Sequence, residues 1–218
     1  MTIFFNEIYN VVSSGLTALQ EAQATGKAQK NPVSESIFLS AWVTKVLKQH
    51  SFDRCVVKTL QEWQQQSRTM GKNAQLKLHF SRLAETYANV TNDQGQSTVI
   101  TPAAMATFYT ALEQQDWLVT NEYEVNRKVS HHTDGKASLV VCSAQYAESM
   151  NENGELVKPL SLYVRGNTQQ FIDIAYQHGI LLYKITDYKS KVKFHGEYII
   201  YPMNAGGHLP ELPTATNS

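Results

Sequence analysis

Asn31-Pro-Val-Ser-Glu-Ser-Ile-Phe-Leu-Ser-Ala-Trp42 opens the stretch of chain, residues 31–90, whose reading decides the fold. Asn31 suits a helix N-cap, because its carboxamide can accept from an unbonded first-turn amide. Pro32 suits the first helical position, where no amide is needed. The helix predicted over residues 33–49 is apolar around most of its circumference, at Ile37, Phe38, Leu39, Ala41, Trp42, Val43, Val46 and Leu47. Such a helix is expected to be central and packed on more than one side. Two amphipathic patterns follow on either side of Gly71. Val56, Leu60, Trp63 and Met70 form one stripe in residues 53–70, interrupted by Ser67; Leu76, Phe80, Leu83, Tyr87 and Val90 form the other in residues 74–90. Spacings of three and four residues place each set on one helix face. Gly71 is a natural residue to end the first of the pair. The two read as an antiparallel hairpin laid on the central helix.

Upstream, residues 3–23 carry Ile8, Val12, Leu16 and Leu19 at helical spacing. Ser13-Ser14-Gly15 lies inside that helix and should weaken it, since glycine costs about 1 kcal/mol against alanine in a helix interior. Downstream, residues 91–98 are turn-formers without periodicity and mark the main joint. Thr101-Pro102 repeats the cap-and-proline signature and starts a fifth helix, to about residue 116, with Met105, Tyr109 and Leu112 inward.

The period then changes from 3.6 to 2. Strands are expected at residues 122–129, 138–146 and 156–165, then a helix to residue 177 capped by Asn167 or Thr168. A last hairpin is expected from residues 180–186 and 192–201. Leu139-Val140-Val141-Cys142 is apolar on both faces, so its strand should be central. The fold class expected is α+β: an N-terminal layer of about five helices packed on a C-terminal antiparallel sheet of about five strands with one inserted helix. The divisions are residues 1–90 and 99–202, able to form one compact domain, and a disordered tail at 203–218.

Composition narrows the function classes. A chain of 218 residues with 42% hydrophobic and 17% charged residues is globular and can build its core without metals or disulfides. Nineteen basic and nineteen acidic side chains give zero net charge, so overall charge selects no polyanionic partner. The two cysteines, Cys55 and Cys142, are read as free thiols. No basic segment followed by an apolar run marks a secretory signal, and no apolar run is long enough to span a membrane. A cytoplasmic location is expected.

The charge is unevenly placed. Lys45, Lys48, Arg54, Lys58, Arg68, Lys72, Lys77 and Arg82 face only Asp53 and Glu62 in the same interval, with His50 and His79 besides. Residues 91–160 hold four basic and nine acidic side chains. Clustered Lys and Arg on adjacent helices can neutralise phosphates, which makes these eight the candidate nucleic-acid contacts. The competing reading is an ordinary solvated surface, or one that meets the acidic half of the same chain.

Other chemistry-bearing groups are sparse. His131, His132 and Asp134 form the most metal-like cluster, without the spacing of an ordered site. Glu197 and His195 share a strand face near Asp187 and Lys189, an acid–base set only if they converge. Arg165-Gly166-Asn167 precedes a helix whose N-terminus suits an anion. Cys142 is read as a small buried hydrophobe. Residues 101–125 have the texture of a winged-helix end, without a defining residue set. There is no phosphate-binding glycine loop, nucleophile elbow or His-Glu-x-x-His.

The residues quoted at the opening, together with Gly71-Lys-Asn-Ala-Gln-Leu-Lys-Leu-His-Phe80, resemble a family of uncharacterised gammaproteobacterial proteins classed as a domain of unknown function. The resemblance implies a bacterial, cytoplasmic, family-specific domain, and it supplies no catalytic residue, cofactor or substrate. The function expected is a non-enzymatic interaction or accessory protein with a protein partner and no cofactor. The alternatives are a nucleic-acid-binding protein using the eight basic residues, and a small hydrolase or transferase with its site on the C-terminal sheet.

Overall fold

The computed structural model describes residues 3–125, 132–187 and 196–214. Its contacts divide the chain into two compact units, Met1–Asn89 and Val90–Ser218. The first is helical and the second holds a five-stranded sheet, so the α+β class holds.

The helical unit consists of α1 (Ile3–Ala24), α2 (Pro32–Lys48), α3 (Val57–Met70) and α4 (Leu76–Asn89), with 3-10 turns at Arg54–Val56 and Gly71–Ala74. Asn31 caps α2 as its sequence demands: its carboxamide oxygen accepts from the Ser34 amide at 2.9 Å, and Pro32 takes the first helical position. The α4 stripe is fully realised, with Leu76, Phe80, Leu83, Tyr87 and Val90 all buried. α2 departs from expectation. Leu39, Val43 and Val46 are buried, Phe38, Trp42 and Leu47 only partly, and Ile37 is 65% exposed. It is therefore an amphipathic helix with one buried arc, and its apolar residues outside that arc are left at the surface. Met70, expected inward, is 48% exposed at the end of α3.

Gly15 explains why Ser13-Ser14-Gly15 does not interrupt α1. A β-carbon on Gly15 would lie 2.8 Å from Phe80 Cε2 and 3.1 Å from Trp42 Cζ3. Glycine here permits close packing of α1 on an aromatic cluster in which Phe80 contacts both Trp42 and Trp63.

The second unit begins with α5 (Pro102–Gln114), capped by Thr101, and continues through β1 (Leu118–Tyr123), β2 (Ser138–Cys142), α6 (Ser143–Ser149), β3 (Leu160–Arg165), α7 (Thr168–Gln177), β4 (Tyr183–Thr186) and β5 (Gly196–Ile200). The sheet order is β1-β2-β3-β5-β4. The sheet is mixed rather than wholly antiparallel, because β1 runs parallel to β2 while the other pairs are antiparallel. Two helices, not one, are inserted. α6 begins where β2 ends, inside the stretch read as continuous strand; its seven residues are too few to show a helical period. β2 is buried along most of its length, as its unbroken apolar run predicts.

Leu139 and Val141 of β2, Leu160, Leu162 and Val164 of β3, and Tyr198 and Ile200 of β5 share a core with Met105, Phe108 and Leu112 of α5 and Phe171 of α7. Val140 lies in a second cluster with Val125, against which Tyr123, Cys142 and Tyr163 pack. Residues 203–214 make specific contacts with the rest of their unit. Asn204 is fully buried, the Glu211 amide donates to the Leu182 carbonyl at 2.8 Å, and Thr214 bonds both carboxylate oxygens of Asp173.

Candidate functional site

Among the described residues, three concavities lie in the helical unit. A cleft of about 360 Å³ is lined by Pro32, Glu35 and Ser36 of α2, Lys72 and Gln75 from the connection after α3, and Lys77, Leu78 and Ser81 of α4. Glu35 is its buried acid. Both Lys77 Nζ, at 2.7 Å, and Gln23 Nε2, at 2.9 Å, donate to Glu35 Oε1. Burial works to raise the pKa of this carboxyl, but the hydrogen bonds from Lys77 and Gln23 and the ammonium charge outweigh it, leaving the pKa below the ordinary value. Glu35 is therefore ionised at neutral pH, and the pair ties α1, α2 and α4 together.

That geometry sets a pH dependence. A carboxylate whose pKa is lower folded than unfolded contributes stability above its unfolded value, lost as pH falls through the folded one. Charged hydrogen bonds contribute roughly 1.5–3 kcal/mol, and because half of the Lys77 side chain is exposed we take about 1–2 kcal/mol. Glu35→Gln is expected to cost that much at pH 7, measured by urea unfolding, with the difference from wild type shrinking as pH falls below 4.5. A pH-independent difference would show that packing alone is at stake.

Around the cleft, Val33 is 46%, Ile37 65%, Met70 48% and Leu78 52% exposed. Val33 and Ile37 lie in the first two turns of α2, Leu78 in the first turn of α4, and Met70 is the last residue of α3. The Ser36 hydroxyl, 3.4 Å from the Lys72 carbonyl, fixes the connection between α3 and α4 against α2.

A second groove, of about 330 Å³, lies between α2 and α3. Val46, Leu47, Phe52, Val57 and Leu60 supply its apolar wall; Lys48, His50, Gln61, Gln64 and Arg68 supply its polar groups. A third, of about 510 Å³, lies between α1 and α2 against Phe38 and Trp42, with Glu21, Lys27 and Lys45 at its edge.

The eight basic candidates are thus distributed. Lys48 and Arg68 line the α2–α3 groove, Lys72 and Lys77 the cleft by Glu35, and Lys45 the α1–α2 groove. Arg54 is exposed in the turn before α3. Exposed Lys58 stands 3.9 Å from Glu62 one helical turn on, and Arg82 is half-buried. Next to it His79, whose ring packs edge-on to Trp63 at 5.6 Å, is held below the ordinary imidazole pKa by burial and then by Arg82.

Of the metal-like cluster, His131 lies outside the described residues. His132 Nε2 is 3.0 Å from Asp134 Oδ1, and both side chains are exposed. Among the described residues no three His, Cys, Asp or Glu side chains gather as metal ligands would. His195 and Lys189 also lie outside the described residues. Glu197 stands across the β3–β5 register from Tyr163, whose hydroxyl pKa is raised by burial and by that carboxylate. Asp187 instead pairs with Lys184 at 2.8 Å. At the start of α7 the anion position is filled from within, because the Asn167 side chain accepts from the amides of Gln169 and Gln170. Both cysteines are free. The Cys55 thiol is pushed up to about 11 by loss of solvent and by the Asp53 carboxylate, so it stays protonated at neutral pH. Cys142 Sγ accepts from the Val125 amide at 3.3 Å.

Glu35 and Gln23 escaped the reading of charge runs. The signal that finds Glu35 is its position in the row Glu35, Leu39, Val43: an acid at i, i+4 spacing with two residues that must be core. Among the described residues no helix is long and apolar enough to cross a membrane. No curated protein and no solved structure matches the chain. A family model described as a protein of unknown function (DUF2913) matches residues 3–213, nearly the whole length of the chain, which therefore belongs to that family.

Proposed function

We propose that this protein is a non-enzymatic interaction or accessory protein of the bacterial cytoplasm that docks a protein partner at one end of its helical unit. The observation behind this reading is the exposure of Val33, Ile37, Met70 and Leu78 on the helices that frame a concave cleft, which Leu78 lines. Exposed large apolar side chains near a charged cleft are what protein-docking surfaces present. Lys72 gives that edge a positive group, whereas Glu35 is already matched by Lys77. The surface therefore suits a partner segment that brings apolar side chains and a carboxylate. Two free cysteines agree with a reducing compartment.

The test is the double change Ile37→Asp with Leu78→Asp. Both side chains are more than half exposed, so the fold should survive, which circular dichroism checks. The wild-type chain, purified from its native lysate at low salt, is expected to carry a stoichiometric protein that the double variant has lost. A partner retained equally by both proteins would remove this patch from the interface.

A further inference from the structure

We infer that the groove between α2 and α3 is a binding site for single-stranded nucleic acid, with Lys48, His50 and Arg68 meeting the phosphate backbone and Phe52 offering its ring to a base. This is a different surface from the proposed docking patch and does not depend on it.

Three observations carry the inference. The first is the lining. Lys48, His50 and Arg68 come from the last turn of α2, the turn after it and the last turn of α3, and all three line one concavity, spread along its length. None of the residues lining it is acidic. Glu62, an acid on the same helix as Arg68, stands 3.9 Å from Lys58 instead. The second is the wall. Partly buried Phe52 is held with its ring centroid 6.0 Å from that of Trp42, so the aromatic surface is braced from behind. A cationic rim over an aromatic and aliphatic wall is the combination that binds single strands: phosphates are neutralised and a base stacks without sequence readout. The volume, about 330 Å³, suits one nucleotide at a time. Lys45, one helical turn before Lys48 and exposed, adds a cation beyond the groove, which favours a strand over a free mononucleotide.

The third observation concerns His50. It ends α2 in the left-handed conformation, φ 49°, with the Ser51 amide returning to the Val46 carbonyl at 3.1 Å. Glycine is the residue that this helix-ending position favours. An imidazole at this position places a side chain on the groove at some cost in backbone ease. Stability and binding should therefore separate at this one residue.

Fluorescence anisotropy with a labelled single-stranded oligonucleotide tests the site on the full-length chain. Wild type is expected to bind, with affinity falling steeply between about 50 and 200 mM salt. Lys48→Gln with Arg68→Gln should weaken binding at least about tenfold and lower the salt slope by about 1.4, near 0.7 for each phosphate no longer neutralised. Lys27→Gln with Lys30→Gln, the same charge loss elsewhere on the unit, should leave it nearly unchanged. His50→Gly should raise the unfolding midpoint by a few degrees and still weaken binding. Ile37→Asp with Leu78→Asp should bind as wild type does, which separates this site from the docking patch. The assignment is overturned if no oligonucleotide binds, if the Lys27 and Lys30 changes cost as much as those at Lys48 and Arg68, or if a mononucleotide binds as tightly as the strand.

Discussion

Asn204→Ala is expected to destabilise the sheet-bearing unit by about 4 kcal/mol. Asn204 has no exposed surface. Its carboxamide oxygen accepts from the Leu181 amide at 2.8 Å, and its carboxamide nitrogen donates to the Gly179 carbonyl at 2.7 Å and the Thr98 carbonyl at 3.3 Å. One side chain therefore joins the turn after α7, the approach to α5 and the segment beyond β5. Alanine would leave the Leu181 amide and the Gly179 carbonyl buried and unbonded, at about 1–3 kcal/mol each. It would also hold a β-carbon at φ 54°, where asparagine is tolerated and alanine costs about 1 kcal/mol more. Asn204→Asp should be destabilising too, since it keeps the acceptor for Leu181 but faces two carbonyls without a donor. Urea unfolding gives the magnitude, and peptide-resolved hydrogen exchange should show the Leu181 amide losing protection. A loss below about 1 kcal/mol would mean that water replaces the carboxamide.

Gly15→Val carries the second large effect, in the helical unit. Helix propensity alone ranks glycine about 1 kcal/mol worse than alanine, so Gly15→Ala would be stabilising on an isolated α1. The tertiary structure reverses the sign. The added carbon would sit 2.8 Å from Phe80, which is fully buried against Trp63 at a ring separation of 4.8 Å and cannot move aside freely. Overpacking of this kind costs about 1–3 kcal/mol. Gly15→Ala is expected to lose about 1 kcal/mol net, and Gly15→Val, with two further methyl groups against the same ring, about 3 kcal/mol. Thr17→Ala, exposed on the same helix, should gain a few tenths and serves as the control for propensity. Thermal unfolding monitored by tryptophan fluorescence, with Trp117 of the second unit replaced by Phe in every protein compared, reads Trp42 and Trp63. A stabilised Gly15→Ala would show that α1 can shift away from the cluster.

The two candidate surfaces differ in how far the sequence shows them. The basic residues of residues 45–82 are visible as a run, but a run has no face. Folding sorts them: Lys48 and Arg68, twenty residues apart, line one groove, while Lys58 and Lys77 stand beside carboxylates. The apolar patch was hidden for the opposite reason. Ile37 and Val33 look like core in a helix that is apolar nearly all round, and only the placement of its neighbours shows which arc of α2 is covered. Glu35 is the reverse case, an acid that reads as surface and lies buried because Lys77 and Gln23 reach it from other helices.

What the sequence by itself determined is local. The cap at Asn31-Pro32, the stripe from Leu76 to Val90, the cap at Thr101-Pro102 and the apolar run at Leu139-Val140-Val141 each specify an element through interactions within a few residues, and each is present. The tertiary structure alone decided what depends on partners distant along the chain. It set β1 parallel to β2, because strand direction follows the path of the connection and not the alternation within a strand. It turned the Ser143–Ser149 segment into a helix and buried Asn204, a polar residue whose hydrogen bonds come from segments distant in the chain. It also chose which basic and apolar side chains of the Asn31-Pro32 helix and its neighbours face outward together, the property on which any function of this chain rests.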